Sequence, residues 1–166
     1  MKNGCVVAIE TEPKPADMGV ILNGLGQFNA SKADGEMQKY LVVTVRDADG
    51  RVIGGLFGAT YLGWLQIQAV WLPDELRGLG YGSALMQEAE NEALRRGCPR
   101  VFLETLSFQA LPFYQKLGYS VFSRLPDFPV GGARYALTKM LREETGEEFR
   151  KPGDSSKPHN DQPTRS

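Results

Sequence analysis

The chain has 166 residues, 42% of them hydrophobic, with 19 Lys plus Arg against 20 Asp plus Glu and a formal net charge of −1. That length supports one domain with a substantial core, and the charge balance argues against nucleic acid or an anionic membrane surface as partner. Two distant cysteines, Cys5 and Cys98, and a single histidine, His159, argue against a zinc site or a Cys/His nucleophile.

Taken in chain order, Met1 to Pro15 contains no apolar run of signal-peptide length, and no later segment approaches the roughly 20 apolar residues that span a bilayer. The expectation is a reduced, cytoplasmic protein without a membrane partner. Val6 to Ile9 reads as a short first strand. Pro15 to Phe28 reads as a helix with Ile21, Leu22 and Leu25 on one side, although Gly19, Gly24 and Gly26 count against it. NASKADGEMQ follows as a loop or short irregular helix. YLVVTVRDADGRVIGGLFGATY predicts two strands joined at Asp47 to Gly50, where Asp and Gly supply hairpin-turn chemistry. GWLQIQAVW continues as a third strand, so the first half reads as an antiparallel meander.

From Ser83 to Arg96, Leu85, Met86, Ala89, Ala93 and Leu94 fall on one helical face, and Gly97 and Pro99 end the helix. Arg100 to Thr105 is the next strand. The resulting strand, helix, strand unit calls for a parallel pair with a right-handed crossover. A short helix around Gln109 to Leu117, a strand Ser120 to Arg124, the turn LPDFPVGGA and a last strand Arg134 to Met140 complete an α/β domain over residues 1–142. Residues 143–166 carry almost no apolar side chain besides Phe149 and are predicted to form a disordered polar tail.

The chemistry centres on RGLGYG, Arg77 to Gly82, directly before the amphipathic helix. Alternate glycines let the backbone approach a ligand with no Cβ in the way, and the following helix offers unpaired N–H groups and a positive dipole end, which together favour a phosphate. A flexible turn that merely enters a helix would look the same locally. A nucleoside-triphosphate loop needs a lysine after the last glycine, where this chain has Ser83. A dinucleotide fingerprint could use Glu104 for a ribose hydroxyl, but its third glycine would fall on Ser83, and LPDELR separates the strand end from Gly78.

The third reading is a pyrophosphate loop for coenzyme A, with charge from Arg77 and backbone N–H donors from Gly78, Leu79, Gly80, Tyr81, Gly82 and Ser83. Here the chain resembles the GNAT superfamily of acyl-CoA-dependent N-acetyltransferases, over Val6 to Leu141. The likeness rests on the R-x-x-G-x-G loop after AVWLPDEL and on a second motif, QALPFYQKLGY, after RVFLET. The longer segment SFQALPFYQKLGYSVFSRLPDFP looks like a bacterial subgroup known mostly as acetyltransferases. The resemblance implies a GNAT fold: a mixed, mostly antiparallel sheet flanked by helices, with central parallel strands QIQAVW and RVFLET splayed at their C-terminal ends. It further implies acetyl-CoA as co-substrate, no metal, and a pantetheine arm pairing with backbone near Val70 and Leu72. An amine acceptor, small molecule or peptide, follows from it too, and a homodimer by analogy. The family pattern often has Asn where this chain has Ser107, a position carried over as a coenzyme contact.

Acyl transfer from a thioester to an amine needs a deprotonated amine, oxyanion stabilisation and a proton for the departing thiolate. Relatives usually supply the oxyanion donor from a backbone N–H, here expected near Val70. Tyr114 occupies the position whose phenol acts in relatives as general acid toward sulfur; by itself it also fits a core aromatic beside Phe113 and Leu117. Tyr119 is assigned to packing. Glu104 ends its strand next to the site and is the candidate base, directly or through water, and equally fits a solvated or salt-bridged carboxylate. Gln66 and Gln68 are placed for substrate binding. Asp34 and Glu36 hint at a cationic acceptor but also fit a solvated loop. A non-catalytic acyl-CoA-binding sensor on the same fold is the alternative function.

Overall fold

A computed structural model describes residues 4–33 and 37–142. Asp34, Glu36 and the expected tail at 143–166 lie outside the described residues. The elements are α1 (Pro15–Lys32), β1 (Lys39–Arg46), β2 (Val52–Tyr61), β3 (Trp64–Trp71), α2 (Tyr81–Arg95), β4 (Arg100–Leu106), α3 (Leu111–Lys116), β5 (Ser120–Pro126) and β6 (Ala133–Met140). The strands form one sheet in the order β1-β2-β3-β4-β6-β5.

The first three strands are the antiparallel meander expected from their turns. Between β1 and β2, Asp47 Oδ1 accepts the N–H groups of Asp49 and Arg51, and Gly50 adopts a φ of +80°, so this Asp and Gly turn closes on itself. The parallel pair is also present, with α2 as its crossover. Leu85, Met86, Ala89 and Ala93 of α2 are buried against a core that includes Leu56, Leu65, Val101, Leu103 and Leu137. Full burial of each of the larger aliphatic side chains contributes about 1.5–3 kcal/mol. Arg96, just past α2, donates to the carbonyls of Lys39 and Tyr40 and to Thr60 Oγ1, fastening the helix end to β1 and β2.

Two features of the meander and its seam position the site. Pairing between β3 and β4 extends only from Trp64 opposite Arg100 to Ile67 opposite Leu103. Beyond that, β3 follows β2 while β4 follows β6, so the parallel strands separate at their C-terminal ends. The second feature is a bulge. Phe57 of β2 faces Ala69, yet the next residue, Gly58, faces Ile67, leaving Gln68 as an extra residue on β3. The extra residue reverses the strand's alternation. Leu65 and Ile67 point to the helical side before it, and Val70 and Leu72 pack toward the same core after it, whereas Trp71 is exposed.

The N-terminal region departs from expectation. Val6 to Ile9 is not a strand: Val6, Val7 and Ile9 are exposed, and among the described residues the sheet ends at β1 with no strand beyond it. Four residues followed closely by Pro13 and Pro15 gain no ladder hydrogen bonds on their own. The helix forms despite its glycines and continues through Lys32, taking in NASK of the expected loop, but none of its residues is buried. Val20, Ile21 and Leu22 are consecutive, so its apolar residues do not make a single stripe. The next helix starts at Tyr81, two residues before Ser83, because Gly80 at φ +91° turns the chain directly into it.

Candidate active site

The loop Arg77 to Ser83 is built for backbone exposure. Gly78 and Gly80 have φ of +74° and +91°, left-handed values that suit glycine, and a Cβ at either would meet no protein atom within 4 Å. Among the described residues, no acceptor takes the N–H groups of residues 78–83, while the carbonyl of Gly80 accepts from Ala84 and begins the helix. Arg77 Nε donates to the carbonyl of Leu72 at 3.0 Å and its guanidinium pairs with Asp74 at 2.6 Å, which fixes the loop against the end of β3. At Gly82 a Cβ would lie 3.3 Å from the Phe113 ring, so that glycine lets α3 approach α2.

Three cavities connect across the splayed strands. The first, about 480 Å3, lies between the glycine loop and α3 and is lined by Val70, Leu72, Arg77, Gly78, Gly80, Gly82, Ser83 and Tyr114, among others. A second, about 680 Å3, occupies the gap itself and shares Val70, Leu72, Arg77, Ala110 and Tyr114 with the first. The third, about 510 Å3, opens on the outer sheet face and shares Ile67, Gln68, Glu104, Thr105 and Gln109 with the gap. Adjoining cavities with shared walls therefore line up as a passage, from the loop N–H groups, past the gap, to a carboxylate.

Tyr114 stands inside this passage. Its ring packs edge-on against Phe113 at 5.1 Å and Tyr119 at 5.9 Å, and its hydroxyl has no hydrogen-bond partner among the described residues. Burial raises its pKa, so the phenol keeps its proton throughout the neutral range. The core-aromatic reading of Tyr114 thus describes its ring, and the same residue lines two of the cavities. Tyr119 is buried as expected. Its hydroxyl donates to Glu90 Oε1 at 2.7 Å, and Lys139 Nζ pairs with Glu90 Oε2 at 2.7 Å.

Glu104 lines both the gap and the outer cavity, and Arg134 of β6 donates to its Oε2. Gln66 and Gln68 line the outer cavity as well. Other expected positions take different places. Ser107 lines none of the three cavities; its N–H donates to the carbonyl of Ala133 and its Oγ accepts the N–H of Ala133, joining the end of β4 to the start of β6. Leu79 and Tyr81 turn their side chains to the surface and present only backbone to the loop. Sequence reasoning missed Arg134, Phe128 and Gln109. The Phe128 ring lies 5.2 Å from the Arg134 guanidinium, and Gln109 Oε1 accepts the N–H of Leu106 at 2.8 Å. Arg134 and Phe128 reach Glu104 only through strand pairing across some 30 residues of chain, which leaves no local signal, whereas Gln109 is set by a turn three residues long.

Comparison with known proteins gives a consistent picture. Residues 12–119 match the family model described as the acetyltransferase (GNAT) family. An acetyltransferase of Agrobacterium fabrum is 33% identical over 121 residues, covering 73% of this chain and 88% of that protein. A blasticidin-S acetyltransferase of Streptomyces morookaense is 39% identical over 93 residues, covering 55% of this chain and 68% of its own. Among solved structures, an acetyltransferase from Bacillus cereus superposes with a TM-score of 0.68 at 30% identity, over 81% of this chain and 98% of that one.

Proposed function

Because the chain belongs to the GNAT acetyltransferase family, whose acyl donor is acetyl-CoA, we propose that it acetylates a primary amine of a small molecule or peptide. The observation that carries this reading is the passage joining the unpaired N–H groups of residues 78–83 to Tyr114 and then to Glu104. The coenzyme supplies an acetyl group activated as a thioester. Backbone N–H groups of the glycine loop and the charge of Arg77 receive its pyrophosphate. The backbone near Val70 and Leu72 lines the gap for the pantetheine arm and offers an N–H toward the carbonyl oxygen. The neutral Tyr114 phenol holds a proton for the leaving sulfur.

On the outer face, Glu104 lines the gap with one carboxylate oxygen held by Arg134, and the other, Oε1, removes the amine's proton directly or through water. The relationship to the blasticidin-S enzyme favours a small-molecule acceptor over a peptide. A cytoplasmic location and a homodimer belong to the same reading, on family resemblance.

The test is a screen of amines with acetyl-CoA, read by thiol release. Release that depends on the amine is expected. CoA-induced stabilisation without turnover on any amine would instead favour the acyl-CoA sensor.

A further inference from the structure

We propose that the acceptor amine carries an aromatic or similarly flat apolar group, seated in a second cavity on the outer sheet face beside Glu104; this deepens the acetyltransferase reading and rests on it. The cavity measures about 490 Å3, within the size range of small-ligand sites. Its walls include Tyr61, Trp64, Phe102 and Phe122, and no charged side chain lines it among the described residues. Phe102 and Phe122 meet at 6.0 Å with planes inclined by 49°, leaving an open aromatic corner, and Phe122 is 59% exposed.

Continuity with the reactive passage selects the occupant. Gln66 and Phe102 line both this cavity and the one that contains Glu104 and Arg134. Side chains two apart on a strand share a face, so Phe102 stands about 7 Å from Glu104 along β4. A molecule with its ring against Phe102 and its amine at Glu104 therefore needs only a short linker, of two or three carbons. The charges divide in the same way: the ammonium end finds a carboxylate, while the apolar end enters a chamber without charge. Gln66 marks the join. Its Oε1 accepts the Tyr61 hydroxyl at 3.1 Å, which leaves its amide N–H groups to donate to a polar atom of the linker or ring.

Two independent readouts test this. In a Trp71→Phe background Trp64 is the remaining tryptophan of the two in the chain, and it lines the cavity. Titration with 2-phenylethylamine in the presence of CoA should change Trp64 emission saturably, and ethylamine at equal concentration should not. Phe122→Ala should weaken that binding about tenfold, the scale expected for removing one face of an aromatic pocket, with Phe122→Leu between. The ratio of kcat/KM for 2-phenylethylamine over ethylamine should fall by a similar factor. A melting curve checks that each variant folds, and the wild-type comparison of the two amines decides even if a variant does not. Equal kcat/KM for both amines with no response at Trp64 would overturn the subsite and leave acetyl transfer standing. Saturable binding without transfer to any amine would keep the subsite and overturn the acetyltransferase reading.

Discussion

Glu104 on β4 and Arg134 on β6 form an ion pair at the outer mouth of the gap, in which the guanidinium takes one carboxylate oxygen and the other is left to the passage. Both side chains are 38% exposed, so the pair is a weak source of stability but a strong constraint on where the carboxylate points. An amine of pKa about 10 is almost wholly protonated at pH 7 and must lose a proton before attack. Glu104→Gln keeps the shape and removes the basicity. Its kcat/KM should fall well below wild type near pH 7 and partly recover toward pH 10, where the acceptor supplies free amine by itself. Paired pH-rate profiles with one amine check this, and profiles of equal shape and height would make Glu104 a bystander. Arg134→Gln should also slow transfer, and its effect should largely vanish in the Glu104→Gln background if it acts by holding the carboxylate.

Tyr114→Phe removes one oxygen from a ring whose packing partners, Phe113 and Tyr119, are unaffected. The hydroxyl bonds to no described residue, so the melting temperature and CoA affinity should stay near wild type. If protonation of the thiolate limits the rate, kcat should drop by roughly two to four orders of magnitude. Steady-state kinetics and a CoA titration on the same preparation separate the two effects.

The sequence made the strands and the main helix legible because their periodicities are local. Asp47 and Gly50 announce their hairpin, and Leu85, Met86, Ala89 and Ala93 announce the buried face of α2. The left-handed turn at Gly78 and Gly80 is legible for the same reason, since alternate glycines directly before a helix mark a backbone that other residues adopt with strain. Position across the sheet was not readable in this way. Strict alternation from Leu65 and Ile67 would turn Ala69 and Trp71 inward, and only the pairing with β2 reveals the bulge that turns Val70 and Leu72 inward instead. Arg134 reads as an ordinary strand residue until β6 is laid beside β4. Val6 to Ile9 shows the converse: its apolar content predicts a strand, and it pairs with no strand among the described residues.

Gly80→Val should affect both folding and coenzyme binding, by separable routes. A side chain at φ +91° strains the backbone by about 1–2 kcal/mol, while the space around its Cβ is open in the free protein. The apo protein should therefore melt earlier yet still fold. The further rise in melting temperature that CoA gives wild type should be lost, since the added side chain fills the approach to the loop N–H groups. Each variant is compared with its own apo curve, and a retained CoA shift would remove the loop from the coenzyme site.

Alkaline pH should expose the aromatic cluster. Burial, and then the neighbouring Glu90 carboxylate, push the Tyr119 phenol strongly upward, and burial pushes Tyr114 upward. In the unfolded chain both ionise near pH 10, while in the fold they stay protonated, so above that pH the native state binds more protons. Their contribution to stability is complete below about pH 10 and declines as pH rises further, by up to about 1.4 kcal/mol per pH unit for each group. Urea midpoints measured from pH 8 to 11 should fall more steeply for wild type than for Tyr119→Phe. The variant should start lower at pH 8, having lost the bond to Glu90 that also orients Lys139. Parallel slopes would mean that Tyr119 ionises equally in both states.

The extra residue at Gln68 makes the length of this strand part of its shape. Chain on either side of it is in opposite phase by number, and the extra residue is what brings Val70 and Leu72 to the face already held by Leu65 and Ile67. Deleting one residue between Ile67 and Val70 would restore plain alternation with Val70 still opposite Leu56, so every side chain would keep its face and only the bend would be lost. Point substitutions in this stretch change one wall at a time. The loss of a single codon would instead leave the walls as they are and straighten the strand that carries them, which separates what faces the gap from how that strand bends beside it.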